Sequence, residues 1–157
     1  MAKAVLICGR ICCGKTTYAQ TLCKDRRAVL LSVDEIMLGI FGQHCGDKHD
    51  EYAAAVREYL LGKSLELVGC GVDAVLDWGF WTKAGRDEVR AFYAAHGVEC
   101  ELRYLNIGDD EWRRRTEKRN SEVLEGRATA YYVDENLAAK AASRFEEPDD
   151  DEVDVFI

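Results

Sequence analysis

Gly9-Arg10-Ile11-Cys12-Cys13-Gly14-Lys15-Thr16 decides how this chain is read. The stretch fits G-x-x-x-x-G-K-[ST] and follows Ala4 to Cys8, an apolar run that reads as a buried strand. A strand, a glycine-bounded loop and a helix opening near Lys15 together make a phosphate-binding loop. Gly9 and Gly14 let the backbone wrap closely enough for its N–H groups to aim at phosphate oxygens, and the helix start adds the positive end of its dipole. In that arrangement Lys15 reaches the β- and γ-phosphates and Thr16 ligates Mg2+. Arg10, Ile11, Cys12, Cys13 and Thr17 complete the expected cradle. The competing reading is a bare strand-loop-helix junction that binds nothing.

A chain of 157 residues, 48% hydrophobic, is expected to form one domain, 1–157, with a real core. The net charge of −8 argues against a protein that coats nucleic acid or lies on an anionic membrane. No apolar stretch approaches the ~20 residues that span a bilayer. The N-terminal strand runs straight into the loop without a secretory apolar region, so a cytoplasmic location is expected. The seven cysteines are odd in number and contain no C-x-x-C pair. Most read as small buried side chains kept reduced. Cys12 and Cys13 stand apart, because loop dipoles and Lys15 can lower a thiol pKa there, although side chains that simply fill the loop, with no redox role, are the simpler reading.

Apolar runs alternate with helical patterns, the signature of βαβ units and a parallel sheet. Strands are expected at Ala4–Gly9, Ala28–Val33, Asp73–Trp78 and Glu99–Ile107. Helices are expected at Lys15–Lys24, Asp50–Val68, Thr82–His96, Asp109 to about Val123, and Asp134–Phe145. In the second of these, Tyr52, Val56, Tyr59, Leu60 and Leu67 share a face. Gly97 suits a helix C-terminus. The acidic end, 149–157, has a solvated look, although the alternation of Val153, Val155 and Ile157 leaves a short edge strand open.

Ligands of open α/β sheets bind at the carboxyl ends of the strands. Strand two ends in Ser32-Val33-Asp34-Glu35, superficially a Walker B strand with a water-activating glutamate. Asp34, however, comes only eighteen residues after Thr16, far closer than in ring-forming or transporter ATPases. An aspartate opposite the γ-phosphate suits deprotonation of an acceptor hydroxyl. Capping the helix that Ile36, Met37 and Leu38 begin is the other role open to it. Asp77 ends strand three without a following glutamate, and its expected task is to help hold Mg2+ or orient Thr16 and Lys15, with loop capping as the alternative. Trp78, Trp81 and Arg86 are expected to line the acceptor pocket. Phe80 reads as core. His44 and His49 lack partners at metal-ligand spacing and read as surface or pocket residues.

Asp109 to Asn120 begins with acids and continues with five bases in seven positions, 113–119. A solvated helical face is the simplest reading, and a nucleic-acid contact a lesser one. Arg115 and Arg119, four apart, project from one face, where one can stack on a purine and the other neutralise phosphate.

The loop, Asp34-Glu35-Ile36, Leu76-Asp77-Trp78-Gly79-Phe80-Trp81, the Arg-x-x-x-Arg-Asn of Arg115 to Asn120, and Phe145-Glu146-Glu147-Pro148 resemble the small P-loop kinase-like proteins labelled "AAA family ATPase" or "AAA domain ATP-binding" protein. These are similar to polynucleotide kinase, chloramphenicol phosphotransferase and zeta toxin. The resemblance spans nearly the whole chain. It implies a three-layer α/β P-loop NTPase, nucleoside-kinase-like, with parallel strands in the order 2-3-1-4-5 and helices on both faces. It further implies Mg-ATP at the loop, an arginine-bearing lid around Arg115 to Arg127, Asp34 as base, and Arg115 and Arg119 on adenine and phosphates. Cys12 and Cys13 stand where Gly and Ser are frequent in that family and make the loop bulkier. The ATPase label carries no ring-forming machinery with it.

The expected activity is therefore transfer of the ATP γ-phosphoryl group to a hydroxyl of a small molecule or nucleic-acid end, with Lys15, Mg2+ and Arg119 balancing charge. A nucleotide-binding sensor or weak ATPase without a phosphorylated acceptor is the alternative. No N-K-x-D motif supports a GTPase. The acceptor and the choice between monomer and dimer stay open.

Overall fold

The apolar run at Ala4–Gly9 forms the central strand, β1, and its side chains alternate between two cores. Ala4, Leu6 and Cys8 join one cluster, and Val5 and Ile7 join the other. A strand buried on both faces needs helices above and below, which explains its unbroken hydrophobicity. Removing Leu6 to Ala would cost roughly 2–5 kcal/mol by the usual scale for a fully buried leucine.

The structure is a computed structural model describing residues 1–157. After β1 come α1 (Lys15–Arg26), β2 (Val29–Ser32), α2 (Val33–Phe41), α3 (His49–Gly69), β3 (Ala74–Gly79), α4 (Lys83–Ala95), β4 (Cys100–Leu105), α5 (Asp109–Leu124), α6 (Glu135–Arg144) and β5 (Val155–Phe156). The sheet runs β2-β3-β1-β4-β5 with every pairing parallel. This is the three-layer α/β P-loop architecture and the strand order that the resemblance implies. One side is closed by Val33 and Met37 of α2, Ala53 and Leu60 of α3, and Val89 and Tyr93 of α4. The other is closed by Ala19 and Leu22 of α1. No helix is long and apolar enough to cross a membrane.

Helix starts follow local chemistry. Ser32 caps α2 by accepting Glu35 N–H at 3.3 Å, Thr82 caps α4 through Gly85 N–H at 3.1 Å, and Asp134 caps α6 through Leu137 N–H at 2.7 Å. Because Ser32 caps α2, Asp34 is left free in its first turn. Two details of the sequence reading change. Tyr59 points outward from α3, since a helical stripe is only partly covered by its neighbours. The fourth strand also stops at Leu105, two residues early.

The acidic end takes the edge-strand form that its alternation left open, while Asp149 to Asp151 stay exposed: Asp154 N–H donates to Leu102 O and Ile157 N–H to Tyr104 O, both at 3.0 Å, extending the sheet by one parallel strand. Glu152 is buried against Arg86. Its carboxylate meets a guanidinium supplied by α4, which offsets the cost of burying either charge alone.

Candidate active site

The phosphate loop connects β1 to α1, and its backbone departs from ordinary angles where the sequence permits. Gly9 has φ 157° and Gly14 φ 100°. A Cβ at Gly9 would stand 2.7 Å from the backbone oxygen of Leu105, which excludes a side chain there, and at Gly14 the positive φ disfavours one. The first turn of α1 has neither a side-chain cap nor an acidic residue. Its free N–H groups and dipole end are therefore uncompensated, which is the electrostatic character of an anion site. Lys15 Nζ donates to Arg10 O at 2.7 Å, closing the loop on itself.

Thr16 Oγ1 donates to Asp77 Oδ2 at 2.7 Å. These are two hard oxygen donors beside a phosphate-type loop, a set that fits Mg2+. No group of three or more His, Cys, Asp or Glu forms a metal cage.

A cleft of about 1660 Å3 runs from this loop to the wall built by α2, α3 and α6. Lys15, Thr16, Asp34, Asp77, Trp78, Trp81, Arg115 and Arg119 all line it. Ser32 and Asp77 are register partners at the ends of neighbouring strands, which brings Asp34 and Asp77 to the same end of the sheet. Asp34 is exposed to the cleft yet closely surrounded by protein. That enclosure holds its carboxyl above the usual carboxylate range, and the Asp77 charge pushes the same way, while Arg119, Lys15 and His49 pull back.

Three side chains latch α5 to the loop. Trp112 Nε1 donates to Ile11 O at 2.7 Å, Arg115 Nη1 donates to Cys13 O at 2.6 Å, and Arg10 bridges Ile107 O and Asp109 at 2.7 and 2.9 Å. Arg119 reaches Cys12 Sγ at 3.4 Å and Tyr131 O at 3.1 Å, linking loop and lid. Beyond α5, the 130–133 segment is strapped on both sides. Asn120 exchanges two 2.8 Å bonds with Val133, and Gln43 bonds Ala130 O and Tyr132 N–H. His49 Nε2 meets Tyr131 OH at 3.3 Å. Trp112, Tyr131 and Gln43 were not singled out from sequence, because their partners lie far away along the chain.

One expectation needs correction: Arg86 does not line the cleft. It is 1% exposed and bonds Glu152 in a fork at 3.0 and 3.1 Å, with Phe80 O and Glu146 O taking Nη1. A guanidinium with every direction satisfied in the interior is a structural clamp. Gly9, Arg10 and Cys13 belong to the loop itself, where backbone N–H groups and not side chains are the expected phosphate donors, and Arg10 turns its side chain toward α5. Cys13 is 1% exposed, and burial pushes its thiol up, in keeping with a side chain that fills the loop. Phe80 is core, as read from sequence. Trp78 and Trp81 are half-buried on the cleft wall.

The backbone resembles solved structures across nearly its full length. Kti12 of Chaetomium thermophilum, solved with ADP-AlF3, shares 17% identity over 98% of this chain and 88% of that one, with a TM-score of 0.73. APS kinase of Mycobacterium tuberculosis, solved with AMPPNP and APS, shares 16% over 99% and 87%, with a TM-score of 0.69. A sugar kinase of Janibacter sp. HTCC2649 shares 16% over 100% and 85%, with a TM-score of 0.68. No curated protein matches the sequence. The AAA domain family model matches residues 5–148, taking in the phosphate loop, the Asp34 and Asp77 strand ends and the α5 arginines, and the chain belongs to that family with the fold of a P-loop kinase.

Proposed function

We propose that this protein is an ATP-dependent phosphotransferase that moves the γ-phosphoryl group to a hydroxyl of an acceptor seated between α2, α3 and α6. The observation that carries the reading is the position of Asp34: a carboxylate with no capping duty, on the same cleft as Lys15 and within electrostatic reach of Lys15 and Arg119. Asp34 would accept the proton of the acceptor hydroxyl as its oxygen forms a bond to Pγ and the bond from Pγ to the bridging oxygen of ADP breaks. Lys15 and Arg119 would balance charge on the transferring group. Thr16 and Asp77 are the residues that would hold Mg2+, which when bound supplies charge neutralisation to the phosphates. Arg115, on the loop backbone, is the candidate for the nucleotide side, and Trp78 and Trp81 for the acceptor side.

The alternative, a nucleotide-binding sensor, switch or weak ATPase, predicts ATP binding with no phosphorylated acceptor. The test is incubation with γ-labelled ATP, Mg2+ and a panel of nucleosides, oligonucleotide 5′-ends, sugars, sugar acids, sugar nucleotides, aminoglycosides and amphenicols. A labelled product that disappears in Lys15→Ala supports the reading. Tight ATP binding with no labelled product from any class contradicts it.

A further inference from the structure

The acceptor half of the cleft is electrically divided. Asp34, Glu35 and Asp47 line it from α2 and the connection that follows. Arg57 on α3 and Lys140 and Arg144 on α6 line it from the other helices, with Asp50 near the start of α3 and Asp134 at the cap of α6. Lys140 is committed, meeting Asp50 Oδ2 at 3.6 Å across the two helices. Arg57 and Arg144 have no ion pair and no hydrogen bond, and both are exposed to the cleft.

The helices bring these two guanidinium groups toward one end. Helix α3 enters at the rim with His49 and descends, ending at Gly69 below the start of β3. Helix α6 follows the 130–133 segment, which meets the start of α3 at His49, and one residue past its C-cap Glu146 N–H bonds Trp81 O at 2.7 Å. From the Asp50–Lys140 pair, Arg57 lies two turns on along α3 and Arg144 one turn on along α6. Both therefore approach the sheet beside Trp78 and Trp81, which line the same space. Neither guanidinium has a directly bonded partner, although Arg144 also acts on Asp50 from a distance. Two such groups on one concave wall attract a shared anion, because each offers several fixed donors.

We propose that Arg57 and Arg144 form an anion subsite, so that the acceptor is a hydroxyl-bearing molecule carrying a phosphate, sulfate or carboxylate group, with Trp78 and Trp81 covering its body. This deepens the phosphotransferase reading and rests on it for the word acceptor. The division of charge gives such a molecule one orientation: its anion lies toward α3 and α6, and its hydroxyl toward Asp34. A neutral acceptor would lack that guidance.

The test separates the subsite from the reaction. In the Lys15→Ala chain, whose phosphate loop is weakened, sodium sulfate is titrated at constant ionic strength while tryptophan emission is followed. Trp78 and Trp81 report on the subsite, whereas Trp112 is tied to the phosphate loop. A saturable change is expected, with its affinity reduced at least about tenfold when Arg57→Gln and Arg144→Gln are added, as loss of charge-assisted hydrogen bonds implies. The melting midpoint checks that the variant folds. Absence of a saturable change in the folded parent, or one that survives the double substitution, overturns the proposal. The titration uses no nucleotide and no transfer, so failure of the kinase reading would show itself separately, as missing labelled product.

Discussion

Thr16 Oγ1 and Asp77 Oδ2 are joined by a 2.7 Å hydrogen bond that ties the first turn of α1 to the carboxyl end of β3. Asp77 is 5% exposed, so this bond fixes the orientation of a hydroxyl that would otherwise rotate. Orienting groups of this kind typically set metal affinity by ten- to a hundredfold, roughly. Asp77→Asn is therefore expected to raise the Mg2+ concentration giving half-maximal AMPPNP binding by about tenfold or more. A fluorescence titration across MgCl2 concentrations measures it, and an unchanged midpoint would show that Asp77 does not serve the ion.

Arg86 and Glu152 make a stability prediction. Their pairing holds the Glu152 carboxyl well below the usual range, at about 2, with the Arg86 hydrogen bonds as the main cause. A carboxyl lowered by folding stabilises at pH above its unfolded value, near 4.5, and that gain is lost as pH falls through about 2. The loss amounts to about 3 kcal/mol. Arg86→Met leaves Glu152 buried without its partner and is expected to lower the melting midpoint by about 10 °C at neutral pH. Arg86→Met combined with Glu152→Leu should recover much of that loss. A double variant no more stable than Arg86→Met alone would show that packing, and not the stranded charge, explains the effect.

Arg115 bonds the loop backbone at Cys13 O and sits where a Cβ on Gly14 would collide with it. Arg115→Gln removes a charge from the loop's mouth without touching either core. AMPPNP affinity is expected to fall about tenfold by calorimetry, the size of one charge-assisted contact. The melting midpoint should stay within a few degrees. Unchanged affinity would assign Arg115 to lid packing alone.

Much of this architecture was legible locally. The run at Ala4–Cys8 and the glycines of the loop announce a strand and an anion site because hydrophobic burial and positive φ leave short-range marks. The same holds for the starts of α5 and α6, where Asp109 and Asp134 stand. What escaped depends on partners far apart. Arg86 looks like a pocket cation until Glu152 arrives from the C-terminal strand, and the acidic end looks solvated until Arg86 and Arg90 receive Glu152 and Asp154. Trp112 and Tyr131 look like ordinary helix and loop aromatics, yet they touch Ile11 and His49, 101 and 82 residues away.

The raised carboxyl of Asp34 sets a pH expectation. A base works deprotonated, so transfer should climb as pH rises through a value above the ordinary carboxylate range, the direction set first by enclosure and then by Asp77. With a working acceptor, kcat/KM against pH should show this acidic limb in the parent, and Asp77→Asn should move the limb to lower pH by removing a like charge. A limb at the ordinary carboxylate position would contradict the electrostatic account.

The most direct measurement of the central claim is single-turnover transfer from γ-labelled ATP by Asp34→Asn beside the parent, with AMPPNP affinity measured on both. The substitution keeps shape and removes the proton acceptor, so transfer is expected to fall by about 10²- to 10⁴-fold while nucleotide affinity stays close to that of the parent. Full transfer by Asp34→Asn with intact nucleotide binding would contradict the account, because the base would then lie elsewhere on the cleft.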